Sequence, residues 1–157
     1  MRDGEIKAAG ERIVRDVEKD TQSRAYRASN ALRNASQFVL RGQRSGRRYR
    51  VPFTGSGAIR DSRRKPKYYN ASAPGEPPAN RTGLLRKSWQ ARPRSQNHGK
   101  VTTAYASIYS NVPYIKYLEP ELSGRDPGNT VKPRPFVRKI QAKAMPGIKR
   151  IYGKRFK

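Results

Sequence analysis

Residues 3–41 have the sequence DGEIKAAGERIVRDVEKDTQSRAYRASNALRNASQFVLR, and this stretch decides the fold. Small or apolar residues recur along it mostly at steps of three and four, the spacing that places side chains on one face of an α-helix. They are Ile6, Gly10, Ile13, Val17, Ala25, Ala28, Leu32, Ala35 and Val39. No proline interrupts the pattern, and Gly42 is a natural helix stop. The sequence therefore predicts one N-terminal helix over residues 3–41, which would be more than about 50 Å long.

A helix of this length usually lies across a sheet or against a neighbouring subunit. The alanines in its second half favour close approach to whatever it covers, and we interpret the stripe first as a core-packing face and second as a contact between subunits. Three acids stand four residues before a base, a spacing worth about 0.2–0.5 kcal/mol per pair on a solvated helix face. The pairs are Asp3 with Lys7, Glu11 with Arg15, and Asp20 with Arg24.

After Gly42 the pattern changes to a period of two. Residues 47–53 place Tyr49, Val51 and Phe53 on one side, which predicts a half-buried strand with a cationic outer face. Pro52 makes this an edge strand or a strand end. Residues 54–67 have no apolar periodicity and are expected to be a mobile loop, whereas residues 100–111 alternate again and predict a central antiparallel strand.

Two more helices are predicted towards the end of the chain. A short one is expected near residues 113–119, opened by Pro113 and closed by Pro120, with Tyr114, Tyr117 and Leu118 on its inner face. A last helix should begin near Pro135 and be broken or kinked at Pro146-Gly147. The prediction is one α+β domain over residues 1–157, in which a long helix (1–41) packs on a small antiparallel sheet. A basic strand and mobile loop (42–67) precede the remaining sheet and C-terminal helix (68–157).

The chain is strongly cationic, with 36 Lys and Arg against 11 Asp and Glu and a formal charge of +25. Residues 1–20 have a net charge of −1, so residues 21–157 carry +26. Such a balance predicts a polyanionic or acidic partner. The candidate contacts, to DNA or to an acidic protein surface, are Arg47, Arg48, Arg50, Arg63, Arg64, Lys65 and Lys67. We expect the first three guanidinium groups to share one face of the strand.

The sequence argues against catalysis. There is no Cys, and the single histidine, His98, lies in a polar stretch where a solvated loop residue is the simpler interpretation. Glu119, Glu121 and Asp126 lack a partner histidine, and no phosphate-binding loop is present, so we expect no enzyme activity, no metal site and no cofactor. No apolar run approaches the roughly 18 residues of a membrane span. We expect a protein made and kept in a cytoplasm-like compartment, without a membrane partner.

The strongest local signal is residues 69–88, YNASAPGEPPANRTGLLRKS, which we call the strap. Pro74-Gly75 predicts a turn, and Pro77-Pro78 stiffens the backbone. Thr82 is placed to cap the turn or helix that follows it. The next segment is amphipathic and should point Leu85 and Trp89 inward.

The strap resembles part of a known family when it is taken with residues 107–119, SIYSNVPYIKYLE, and residues 132–137, KPRPFV. In order and spacing, the three segments are similar to the tailed-bacteriophage minor tail component family of tail-completion, or head-tail joining, proteins. After Leu118-Glu119 that family usually continues with a Phe-Gly or similar turn, whereas this chain has residues 120–124, PELSG. The structural residues of the matching motifs are Ser72, Pro74, Gly75, Pro77, Pro78, Thr82, Gly83, Leu85, Arg86, Asn111, Tyr114, Leu118, Glu119, Pro133, Arg134, Pro135 and Phe136.

The resemblance implies a structural virion protein without turnover. It would form a homo-oligomeric ring of six or twelve copies in the phage neck, between head-completion or adaptor proteins and the tail-terminator or tail-tube proteins. The ring would line or surround the channel for packaged double-stranded DNA, and the chain would be found in the virion and, during assembly, in the host cytoplasm.

Composition alone leaves an alternative open. A free-standing, sequence-nonspecific nucleic-acid-binding protein of the ribosomal or nucleoid type would be equally cationic. That alternative favours exposed aromatic residues that can stack on bases. We expect instead that the sheet and its covering helix contain Tyr49, Tyr105, Tyr109, Tyr114 and Tyr117.

Overall fold

The computed structural model describes residues 2–51, 67–98, 101–119 and 134–155. The helices are α1 (Arg2–Val39), α2 (Leu84–Lys87), α3 (Ile115–Leu118) and α4 (Val137–Tyr152). The strands are β1 (Arg48–Arg50), β2 (Tyr68–Asn70), β3 (Gln90–Ala91), β4 (Arg94–His98), β5 (Val101–Tyr105) and β6 (Ile108–Tyr109). The predicted α+β class, with a long N-terminal helix, small antiparallel sheets and a C-terminal helix, is confirmed. The loop expected over residues 54–67 lies, apart from Lys67, outside the described residues.

The second half of α1 packs against α4. Ala25 and Ala28 are buried there, and Gly147 of α4 lies so near α1 that an added Cβ would sit 3.9 Å from the Cβ of Ala31. Lys143 lies over the ring of Phe38 at 4.2 Å, so the two helices run antiparallel, with the start of α4 near the end of α1. The small side chains of α1 permit the close approach that the sequence predicted.

The first half of α1 is exposed, although its apolar stripe continues the buried face without a break. Ile6, Ile13 and Val14 are 70%, 65% and 57% exposed, and Val17 is 41% exposed. The core-packing interpretation therefore holds for the second half of the stripe and fails for the first. The Glu11–Arg15 pair in this half is long, at 4.0 Å, and solvated as expected.

The sheet is divided into three antiparallel pairs, β1 with β2, β3 with β6, and β4 with β5. The central strand predicted over residues 100–111 is therefore wrong, because it is two short strands that pair with different partners. The chain leaves the ladder at Ser107, whose backbone N–H donates to the Oγ of Ser29 on α1 at 3.2 Å. His98, expected in a loop, is exposed at the end of β4 opposite Val101.

A small core joins α1, α4 and the segments between them. Phe136 is fully buried, and the edge of its ring meets Trp89 with 6.1 Å between centroids. The buried apolar residues of this cluster are Ala35, Leu40, Trp89, Val112, Ile115, Phe136, Ile140 and Ala144. Leu85 packs against it from the strap, so the predicted inward direction of Leu85 and Trp89 is confirmed.

Two details of the later helices differ from the prediction. In α3 the inner face is formed by Ile115 and Leu118, so the prediction is confirmed for Leu118. It is wrong for Tyr114 and Tyr117, which are exposed because one turn of helix can bury one side only. Helix α4 begins at Val137 and continues through Pro146 to Tyr152, so a break at Pro146 is excluded. The carbonyl that loses its helical partner there belongs to Ala142, and both residues are exposed, so water can replace the missing bond.

Arg24 holds the C-terminal end of α4. Its guanidinium donates to the backbone carbonyls of Tyr152, Lys154 and Arg155 at 3.3, 2.6 and 2.9 Å, and its side chain is 4% exposed. Asp20 balances the buried charge, with an oxygen 2.7 Å from Nη2. The Asp20–Arg24 pair was predicted on a solvated face, but it is a buried cap that places a positive charge at the negative end of a helix.

Replacing Arg24 with Met should lower the free energy of unfolding by about 1–3 kcal/mol, because three carbonyls and the Asp20 carboxylate lose a buried donor. Arg27→Met is the matched control, since its side chain is 45% exposed and its guanidinium is 3.9 Å from Asp20. The control should cost less than about 0.5 kcal/mol. Urea denaturation followed by circular dichroism measures both. Equal losses in the two variants would contradict the capping role.

Candidate functional site

The most strongly basic structured feature is a two-stranded ribbon, residues 47–51 paired with residues 67–71, which we call the cationic ribbon. Its register places Arg48 opposite Asn70, Tyr49 opposite Tyr69, and Arg50 opposite Tyr68. The N–H of Val51 donates to the carbonyl of Lys67 at 2.8 Å, which extends the pairing by one residue.

Both faces of the cationic ribbon combine bases with tyrosines. On one face Arg48 lies 4.4 Å from the ring centroid of Tyr68. On the other face Arg47 lies 5.6 Å from the centroid of Tyr49, which stacks on Tyr69 at 5.8 Å. The expectation that Arg47, Arg48 and Arg50 share one face is therefore wrong for Arg47, because side chains alternate along the strand.

The tyrosines of this ribbon, and those elsewhere, are more exposed than the sequence suggested. Tyr49 was expected to face a buried layer, but it is 43% exposed. Its ring stacks on Tyr69 within the ribbon, and no second layer of described residues covers the pair. The same correction applies to Tyr105, Tyr109, Tyr114 and Tyr117, all of which are exposed. Phe53, Arg63, Arg64 and Lys65 lie outside the described residues, and Lys67 is exposed at the start of β2.

The base of the cationic ribbon is fastened to the strap by Glu76. Its carboxylate accepts hydrogen bonds from the Oγ of Ser45 at 2.7 Å, the N–H of Ser45 at 3.1 Å and the N–H of Ala73 at 2.9 Å. These bonds, the Ser45 hydroxyl first, lower the pKa of Glu76 to about 2. Gly46 beside it is required by close approach, since an added Cβ would lie 2.5 Å from the carbonyl oxygen of Ala71.

Arg44 ties the same region to the end of α1. Its guanidinium donates to the carbonyls of Val39 at 3.0 Å and Pro78 at 3.2 Å. Burial lowers the pKa of this guanidinium, and the nearby Glu76 carboxylate partly offsets that effect. Neither Arg44 nor Glu76 was predicted from the sequence as a structural residue. One signal pointed to Glu76, which is the single acid between Asp61 and Glu119.

The strap has the predicted local structure. Gly75 has φ 79°, and the N–H of Glu76 donates to the carbonyl of Ala73, which closes the turn at Pro74-Gly75. Thr82 accepts a bond from the N–H of Leu84, the first residue of α2, at 3.3 Å, but the N-cap position itself is occupied by Gly83, so the predicted capping role is found only as this local bond. The remaining motif residues differ in burial. The buried ones are Pro77, Pro78, Glu119 and Phe136, and the partly buried ones are Ser72, Gly83, Leu85, Arg86, Leu118, Arg134 and Pro135. The exposed ones are Asn111 and Tyr114, and Pro133 lies outside the described residues.

Glu119 joins the second and third motif segments. It is 1% exposed, and one carboxylate oxygen accepts the N–H groups of Phe136 and Val137 at 2.8 and 2.9 Å. Those N–H groups belong to the start of α4, where helical partners are missing and a negative charge is favoured. The N–H of Arg134 also donates to the carbonyl of Leu118 at 2.8 Å. Glu119 is thus a buried cap of α4, and its carboxylate does not contribute to the surface charge.

The cleft formed by the described residues is small for a ligand-binding pocket. A cleft of about 220 Å³ lies between the strap and Tyr114, below the 300–1,000 Å³ usual for small-molecule sites. Within the described ranges, no three His, Asp or Glu side chains are grouped as metal ligands. None of the described helices combines the length and the apolar character that crossing a membrane requires.

Comparison with known proteins returned no family model, no curated protein and no solved structure that matches this chain.

Glu119→Ala should reduce the free energy of unfolding by roughly 2–3 kcal/mol, since it removes a helix cap and leaves a buried N–H unpaired. Glu119→Gln keeps an oxygen acceptor and should lose less. Trp89 is the single tryptophan and contacts Phe136, so its fluorescence during urea unfolding measures the change. The control Glu11→Ala removes a long, exposed ion pair and should have little effect.

Acid should release the strap from the base of the cationic ribbon. The folded-state pKa of Glu76, about 2, is below its ordinary 4.5, so its contribution to stability is present above pH 4.5 and is lost as pH falls towards 2. An NMR titration of the Glu76 carboxyl carbon should therefore show a midpoint near 2. The protection factors of the Ser45 and Ala73 amides should fall over the same range, and Glu76→Gln should lower both protection factors at pH values above 4.5. A titration midpoint at 4.5 would contradict this.

Proposed function

We propose that this chain is a structural protein of a tailed-phage neck, which assembles with copies of itself into a ring that joins the DNA-filled head to the tail. The observation that carries the proposal is that the three segments on which the resemblance rests form one packed unit. Leu85 of the strap, Ile115 of α3 and Phe136 before α4 belong to one core, and Glu119 links two of the segments directly. Packing and hydrogen bonding are sufficient to explain these motif residues, without a catalytic role for them.

Two features that extend from this unit fit a ring around DNA. One is the exposed apolar half of α1, which is suited to contacts with another subunit. The other is the cationic ribbon, whose charges on both faces suit phosphate groups or the acidic surfaces of adjoining head-completion and tail proteins. Phosphate contacts position a duplex without reading its bases, so the proposed DNA contact is independent of sequence.

A second function is favoured by one observation, the exposure of the tyrosines. Bases of a single strand stack on aromatic side chains next to cations. Tyr68, which is 49% exposed, lies under Arg48 in that arrangement. A free-standing nucleic-acid-binding protein is therefore the alternative proposal, and it is distinguished by what the tyrosines contribute to binding.

Changing Arg48, Arg50 and Lys67 together to Gln should weaken duplex binding. The slope of log K against log salt should fall by roughly 0.9 for each phosphate that the protein no longer neutralises. Fluorescence anisotropy with two unrelated duplexes measures this, and both should respond equally. The control changes Lys7, Arg12 and Lys19 to Gln, which removes the same charge from α1. A strong preference for one duplex would contradict the proposal.

If Tyr49→Ala with Tyr68→Ala abolishes single-strand binding while leaving duplex binding intact, the alternative function is favoured.

Deleting residues 1–17 tests the neck role in a phage that encodes this chain. Full heads and complete tails should accumulate unjoined, because the exposed half of α1 is removed while the core residues from Ala25 onward remain. Electron microscopy counts joined particles, and circular dichroism of the purified deletion variant checks that the domain still folds. A normal yield of infectious particles, or tagged chains located away from the head-tail junction, would refute the proposal.

A further inference from the structure

The first half of α1 extends past the end of the domain. Arg24 meets the residues that follow α4, so residues 4–17 lie beyond the C-terminal end of that helix. At 1.5 Å per residue these residues span about 20 Å. Their apolar stripe, led by Ile6, Ile13 and Val14, is exposed over this whole length.

The charges beside the stripe are mostly acidic. At 100° per residue, Glu5 and Asp16 fall on one side of it and Glu11 on the other. The opposite face of α1 carries the bases Arg12, Arg15 and Lys19. Lys7 is the exception beside the stripe. This face of α1 is therefore apolar at its centre and negative at its edges, in a chain that is otherwise strongly positive.

The outward face of α4 has the complementary character. Opposite the buried Ile140 and Ala144 lie Ala142, Met145 and Lys149, all exposed. Met145 is 45% exposed. Helix α4 contains five bases and no acid over Val137–Tyr152, and Arg138 and Lys149 lie on this face beside Ala142 and Met145. The face is therefore positive and also presents apolar side chains.

We propose that residues 4–17 of α1 in one copy dock on the outward face of α4 in a second copy. This inference rests on the ring of the proposed function and specifies its subunit contact. A chain cannot make the contact with itself, because Ala31 lies beside Gly147 and Val14 is therefore about 25 Å away along α1. The two faces differ, so the contact is head-to-tail, the type that closes a ring when the rotation between copies permits.

Disulfide mapping tests this contact directly, since the natural chain has no cysteine. A Val14→Cys chain is mixed with a Met145→Cys chain under mild oxidation. A disulfide requires Cα atoms within about 7 Å, so the mixture should give a 14–145 linked dimer, and the double variant should give a ladder of oligomers. The matched control pairs Arg12→Cys, on the opposite face of α1, with Met145→Cys and should link far less.

Charge reversal supplies the second test. Asp16→Lys alone and Lys149→Glu alone should each raise the dissociation constant for self-association, by roughly three- to fivefold in analytical ultracentrifugation. Combining the two should recover most of the loss, whereas a merely destabilising change would not be rescued. Thermal unfolding by circular dichroism checks that each variant is folded.

Three outcomes overturn the inference. A 14–14 disulfide in place of the 14–145 link would show that the stripes of α1 pair with each other. A stable oligomer without the 14–145 link would show that another surface joins the copies, and it would leave the ring of the proposed function standing. A chain that stays monomeric in solution and in assembled particles would overturn both.

Discussion

Helix α4 is fixed at its start by one buried carboxylate, and the arrangement of the described core depends on that contact. Glu119 accepts two backbone N–H groups at the positive end of the helix, and Arg24 occupies the carbonyls at the negative end. Burying an ionised group is costly unless hydrogen bonds replace its hydration. Both side chains meet that requirement with short bonds to backbone, so the start of α4 has one favoured position beside the end of α3 and its end has one on α1.

Charged caps are important here because the apolar core is small. The face of α1 that meets α4 consists largely of alanine and serine, and Ser29 and Ser36 are completely buried. Small side chains allow the helices to approach closely but contribute little apolar area. The position of α4 is therefore specified by hydrogen bonds at its two ends as much as by the packing of Phe136 and Ile140. The strap uses the same principle, since Arg44 and Glu76 fasten its backbone through carbonyl and N–H groups.

The sequence predicts the elements whose pattern is local. The periodicity of α1, the turn at Gly75 and the bond from Leu84 to Thr82 each depend on residues within a few positions of one another. Burial of a charged residue depends on chain far away, so Arg24 looked like half of a surface ion pair. One signal was present: Arg24 occupies a position of the apolar stripe between Val17 and Ala28, where a solvated arginine is unexpected. The tyrosines were misplaced for a related reason, since alternation shows on which side of its strand Tyr49 lies but not whether anything covers that side. In the cationic ribbon the rings of Tyr49 and Tyr69 cover each other.

The distribution of the acids bears on the outside partner that we propose for the surface charge. Residues 21–157 contain five acids, and the two within the described ranges, Glu76 and Glu119, bind backbone N–H groups. Ion pairs between described residues lie within α1, at Glu11–Arg15, Asp20–Arg24 and Asp20–Arg27. The bases of the cationic ribbon therefore gain little neutralisation from Glu76 and Glu119. Phosphate groups, acidic neighbours and the acid-edged half of α1 from another copy are the partners whose charge fits the cationic ribbon and the outward face of α4.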